Sequence, residues 1–185
     1  ARELGLKASY QEVTIPPDWS MTGQTYLLSQ HVNVLVDLKG SPSRIVDFNF
    51  YSSNLSFESE VISDQMARAH FFNNIGVEHM LADETSLAYA NFSESLENYR
   101  NFSPAWVNLG ILYRREGYPD YAEAAYQEAL EHDRNNRMAM SNLANLYEEE
   151  GRTGLAEFYL GKVQSHRMNN PYYRYQLAKY AFADG

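Results

Sequence analysis

Cysteine is absent from the 185 residues. That excludes disulfides, thiolate metal sites and thiol redox chemistry on this chain, and leaves its compartment open. Positive charge is scarce: 15 Lys and Arg stand against 24 Asp and Glu, a net charge of −9 with a pI near 5.0. A chain so acidic lacks the electrostatic footprint of a nucleic-acid binder, so no such partner is expected. Long apolar runs are missing too. Val32–Leu38, among the longest, is far too short to span a bilayer, and no membrane span is expected. The histidines at 70, 79, 132 and 166 show no metal-ligand spacing; neither a metal nor a cofactor is expected. What remains is an ordinary globular composition, 44% apolar and 21% charged, long enough for one large domain or two small ones.

The chain changes character near residue 64. Before it, Ala8–Val13, His31–Leu38 and Arg44–Phe50 are rich in Val, Ile, Tyr and Phe, and turn-forming stretches such as "TIPPDWSMTG" and "KGSPS" separate them. These read as strands of a short antiparallel β region. After residue 64 the chain reads as helical and repeats itself. Ile75-Gly76, Leu109-Gly110 and Leu143-Ala144 recur 34 residues apart, as do Ala88, Ala122 and Ala156, then Phe92, Tyr126 and Leu160. Gly117, Gly151 and Gly185 keep the same interval. Small residues at 76, 110 and 144 would let two helices approach closely, and Trp106, Tyr113 and Tyr126 would fill gaps between adjacent hairpins. Ser103-Pro104 and Asn170-Pro171 read as an N-cap followed by proline at the first helical position, and Pro119 as the start of another helix.

Trp106, Leu109, Gly110, Tyr113, Ala122 and Tyr126 form the pattern W-x2-L-G-x2-Y…A-x3-F, which resembles the tetratricopeptide repeat. Arg134 stands where that family usually has proline. The resemblance implies an α+β chain: a short antiparallel β segment followed by an all-α right-handed solenoid. Its domains would be 1–63 and 64–185, with repeats 69–102, 103–136 and 137–170 and a half repeat 171–185. A single hairpin cannot bury its apolar face, so stacking is required. The expected partner is a protein or peptide in a groove lined by the first helix of each hairpin. By repeat position that groove includes Val107, Ile111, Arg114 and Arg115, then Ser141, Asn145, Glu148 and Glu149, and finally Tyr175 and Lys179. Its mixed charge implies a partner carrying both signs. Asn74, Asn108 and Asn142 share one repeat position and could form a row of amides, although asparagine is common there in such repeats.

Residues 1–53 resemble the carboxyl-terminal half of a transglutaminase-like domain, a relative of the papain-type proteases. "RELGLKASYQEV" reads as a helix tail that ends at Gly5 and enters a strand. His31 opens one strand and Asp47 lies on the next, sixteen residues later. The resemblance implies His31 as general base and Asp47 as its orienter, because the imidazole must be held in one tautomer to take a proton from a thiol. Pairing Leu38 with Arg44 would set Asp47 opposite Leu35, on the face of His31, and any even shift keeps that face. The bland alternative is a strand-end aspartate that caps its own backbone.

The nucleophilic cysteine of the family would lie before Ala1, so no acyl-transfer activity is expected of these residues. Both ends fall inside structural units, which points to a fragment of a larger protein. Three functions stay open: an interaction module built on the repeats, an acyl-transfer enzyme (transglutaminase or cysteine protease) in its complete form, and a catalytically dead transglutaminase-like platform. Self-association through the C-terminal half repeat or the open sheet edge is also expected.

Overall fold

The computed structural model describes residues 1–14, 20–22, 25–27, 31–38, 40–46 and 58–169. A single 3-10 turn, Arg2–Leu4, ends at Gly5 in the left-handed conformation (φ 73°) and leads into β1, Lys7–Thr14. The strands that follow are β2 (Ser20–Thr22), β3 (Thr25–Leu27), β4 (His31–Asp37), β5 (Arg44–Val46) and β6 (Glu58–Ile62). Four of them form an antiparallel sheet in the order β5-β4-β1-β6, while β2 and β3 pair with each other and β3 packs against α5, described below.

The β4–β5 pairing sets Val36 opposite Arg44. This is two residues from the expected Leu38–Arg44 pairing, an even shift that leaves each side chain on its predicted face. Asp47 itself lies outside the described residues. Tyr10 faces Val34, and Glu12 faces Val32, across the β1–β4 pair. Tyr10, Glu12, Val32 and Val34 therefore share one face, because neighbours directly across a ladder point the same way. Both edges of the sheet leave a large apolar side chain exposed, Ile45 on β5 and Val61 on β6.

Among the described residues six helices follow: α1 (Asp64–Leu81), α2 (Thr85–Asn98), α3 (Ser103–Arg115), α4 (Pro119–His132), α5 (Arg137–Glu149) and α6 (Thr153–Asn169). They pair as α1–α2, α3–α4 and α5–α6. Each hairpin turns through one left-handed residue, Asp83 (φ 60°), Gly117 (φ 79°) and Gly151 (φ 72°), spaced at the repeat interval. Glycine adopts that conformation freely, and aspartate is among the few side chains that tolerate it. Pro119 opens α4 as expected. Ser103 does not cap α3. It lies inside the first turn, and its hydroxyl donates to the Ala129 carbonyl at 2.9 Å while accepting from Asn136 Nδ2 at 2.8 Å. Asn136 in turn caps α5 by accepting from the Ala139 N–H.

The core sits where small residues on the first helices meet aromatic rings on the second. A Cβ added at Gly76 would stand 2.6 Å from the Phe92 ring, and one at Gly110 would stand 2.4 Å from the Tyr126 ring. Tyr126 therefore fills space within its own hairpin; Trp106 and Tyr113 pack against the core only partly buried. The third hairpin has Ala144 and Leu160 at these repeat positions, and there the slimmer Leu160 is 40% exposed rather than buried as Phe92 and Tyr126 are.

Gly110→Ala should therefore destabilise the fold by about 1–3 kcal/mol, as overpacking does, exceeding the gain in helix propensity. Adding Tyr126→Leu, which copies the third hairpin, should restore part of that loss non-additively in denaturant melts. Equal stability of Gly110→Ala and the parent chain would contradict the close packing.

Candidate functional site

Two places in the fold gather side chains that could act: the first-helix surface of the hairpins, and the junction between the sheet and α1. On the first surface, α3 is flanked by α1, α2, α4 and α5, so a helix with neighbours on nearly every side becomes apolar nearly all round. That explains why Val107 and Ile111 are 2% and 3% exposed and belong to the core. The flanking first helices cover them, and they cannot line an open groove in this conformation. Ser141 and Asn145 are half-buried, and Glu148 and Glu149 are exposed. Tyr175 and Lys179 lie outside the described residues.

The two arginines of this surface are already engaged. Arg114 donates to Glu149 of the next first helix, with Nε to Oε2 at 3.1 Å. Arg115 donates to the Met80 carbonyl at 2.7 Å and to the Asp83 carboxylate. The amide row is built differently from its spacing. Asn108 Nδ2 donates to Oδ1 of Asn73 at 2.8 Å, and Asn74 stays exposed. Asn142 is 1% exposed, and neither polar atom of its amide has a hydrogen-bond partner among the described residues.

Behind this surface, Glu123 of α4 gathers three donors. Arg152 reaches its Oε2 at 2.6 Å, the Tyr147 hydroxyl donates to Oε1 at 2.7 Å, and Gln127 donates at 3.1 Å. The Arg152 guanidinium also lies 4.3 Å from the Tyr147 ring centroid. Hydrogen bonding from Arg152, ahead of that from Tyr147, holds the Glu123 carboxyl below its ordinary value, while burial pushes the Tyr147 phenol up to about 12.

At the junction, Arg2 ties the sheet to α1. Its Nε donates to the Ala8 carbonyl at 2.8 Å, and its Nη2 donates to Asp64 Oδ1 at 2.8 Å. His31 is half-buried and lines a cleft there, together with His70 of α1. Asp47, its expected orienter, lies outside the described residues. His70, Arg68 and Tyr10 of this cleft carried no functional signal in the sequence, because their roles depend on which strand faces α1. Among the described residues no group of three or more His, Cys, Asp or Glu could hold a metal ion, and no helix is long and apolar enough to cross a membrane.

The tetratricopeptide repeat family profile matches residues 103–136, the α3–α4 hairpin with its following loop. The stacked helical hairpins of residues 64–169 have the fold of tetratricopeptide-repeat solenoids. Solved structures share that fold at low sequence identity. The crystal structure of MamA superposes with a TM-score of 0.50 at 21% identity over 63% of each chain, so the chain spans less than two thirds of MamA. The first tetratricopeptide domain of Spaghetti (RPAP3), bound to an HSP90 peptide, gives a TM-score of 0.54 at 16% identity, covering 64% of this chain and 96% of that one. The tetratricopeptide domain of Arabidopsis OM64 gives 0.53 at 14% identity, covering 63% and 98%. No curated protein matches the sequence.

A carboxyl held low in the folded state stabilises it above the unfolded pKa, here near 4.5, and that contribution fades as pH falls through the folded value. Glu123→Gln should therefore melt below the parent chain at neutral pH. The two should converge as melts are followed to progressively lower pH, once the parent carboxylate is neutralised in the folded state. Parallel melting curves across that range would show that the Glu123–Arg152 contact contributes nothing.

Proposed function

We infer that the chain is a protein-interaction module whose repeats hold a peptide or protein partner against the first-helix surface of the third hairpin. The observation that carries this reading is where open polar groups remain. Val107 and Ile111 are buried and Arg114 and Arg115 are tied down, which leaves Ser141, Asn145 and Glu148 of α5 as accessible positions of the predicted groove. Asn142, whose amide has no partner among the described residues, adjoins them in the chain. A partner segment bearing donors, lysine or arginine above all, is the complement of this acidic and amide surface. The peptide held by the Spaghetti domain supports the general mode, in which a repeat solenoid holds a peptide.

Peptide phage display against the purified chain is the direct test. Selected peptides should bind the parent chain, and Glu148→Lys should weaken them about tenfold, the effect of losing one good interfacial contact, with melting temperature unchanged. Peptides that bind Glu148→Lys and Asn145→Ala as tightly as the parent would sink this reading.

A second reading, favoured by one observation, is that the β region descends from a transglutaminase-like domain. The turn Arg2–Leu4, the left-handed Gly5 and β1 follow the expected helix-glycine-strand order, and β1 pairs with the strand that His31 opens. In that reading His31 is the general base and Asp47 its orienter, within a longer acyl-transfer enzyme or an inactive platform that retains the fold. The enzyme form needs a thiol for its covalent chemistry, the platform form needs none, and these residues contain no cysteine. The purified 185-residue chain should show no turnover of fluorogenic ester or amide substrates and no transamidation. Turnover that survives repurification and disappears in His31→Ala would establish a different nucleophile and overturn this reading.

A further inference from the structure

Between the sheet and α1 lies a cleft of about 560 Å3, a size that accommodates a small organic molecule. One wall is the sheet face that carries Tyr10, Val32 and Val34; the other is the α1 stripe Ala67, Phe71 and Asn74, residues three and four apart that share one side of a helix. Three independent features mark it as more than a packing gap.

The first is charge. The chain as a whole is strongly acidic at −9, yet the ionisable residues lining this cleft are two arginines, two histidines and one aspartate. Asp64, the carboxylate of that lining, is hydrogen-bonded to Arg2, and Glu12 on the same sheet face approaches His70, so Arg68 is the guanidinium of the cleft that has no hydrogen bond to a carboxylate among the described residues. The second is His70, a side chain 2% exposed, neither of whose ring nitrogens has a hydrogen-bond partner among the described residues. Glu12 Oε2 stands 3.7 Å from its Nε2, beyond hydrogen-bonding distance, and the edge-on Phe102 ring, 4.5 Å between centroids, packs against the imidazole. A buried imidazole in that position costs free energy until something in the cleft exchanges a hydrogen bond with it. The third is uncovered aromatic surface, since Phe71 is 59% and Tyr10 36% exposed.

We propose that this cleft binds an organic carboxylate that has an aromatic or branched apolar body and an adjacent amide, the chemistry of an N-acylated apolar amino acid. The carboxylate pairs with Arg68, the body lies on Phe71 and Tyr10, and the amide satisfies His70. A free acylated amino acid and the last residue of a peptide share this chemistry. The site is separate from the α5 surface and does not rest on the peptide-binding reading.

The test follows the histidine ring-proton NMR signals of the whole chain during titration with N-acetyl-L-phenylalanine. His70 and His31 should shift saturably while His132 does not. Arg68→Gln should weaken binding about tenfold, the loss expected for one charge-assisted hydrogen bond. Phe71→Ala should weaken it as well. Both residues are exposed, so the fold should tolerate the changes, as unchanged melting temperatures would verify. N-acetyl-L-phenylalaninamide, which lacks the carboxylate, should bind as weakly as the parent acid binds Arg68→Gln. Glu148→Lys should leave the titration unchanged. A parallel titration with acetyl-Gly-Ser-Gly-Phe distinguishes the sources: tighter binding than the free acid assigns the site to peptide carboxyl termini, and weaker binding assigns it to small acids. Shifts that stay linear in ligand, equal binding of acid and amide, or unchanged affinity in Arg68→Gln would each overturn the proposal.

Discussion

The solenoid depends on one close approach, repeated. A first helix offers a position without a side chain, and the second helix lays an aromatic ring over it, Phe92 on Gly76 and Tyr126 on Gly110. Phe92 and Tyr126 are both fully buried. Contacts this short leave no slack, so they fix the spacing of each hairpin and its rotation together. They also explain why Ala88, Ala122 and Ala156 are small and buried: the helices are already as near as their backbones allow.

Stacking the hairpins uses a second kind of contact. Adjacent repeats are tied by polar groups a repeat length apart, Asn108 to Asn73, Arg115 to Asp83 and Arg114 to Glu149. Glu123 and Arg152 join the second hairpin to the third. Exposed ion pairs contribute little singly, and those that form hydrogen-bonded networks contribute more. Charges engaged with neighbouring repeats are not open on the first-helix surface, whose accessible polar groups among the described residues of the predicted groove lie on α5. The sheet attaches differently, through Arg2 on Asp64 and the approach of Glu12 to His70. This joint is looser than the hairpin contacts, which is why a cleft remains there.

The 34-residue interval, the identity of the close-packing positions and the glycine turns were legible in the residues alone, because each follows from local backbone preference or from a periodicity that any stack of hairpins must keep. So was the stop at Gly5 before a strand at the amino end, although the expected helix tail is a single 3-10 turn. Polar side chains were misread where their partners are remote. Ser103 looked like a cap, yet it bonds to Ala129, 26 residues away, which holds it inside the helix. Asn74 matched the repeat position, yet Asn73 takes the bond from Asn108.

The sequence by itself determined which segments are helices, how they pair and where they touch most closely, since those properties are written in side-chain size and spacing over a few turns. The tertiary structure alone decided what is left open. Val107 and Ile111 are buried because helices from three hairpins converge on α3, and spacing within one repeat carries no information about the neighbours on either side. The junction cleft exists because one face of the sheet meets α1 across an intervening chain of dozens of residues. Arg68, His70 and Tyr10 converge there by that docking, and no local pattern in the chain encodes it.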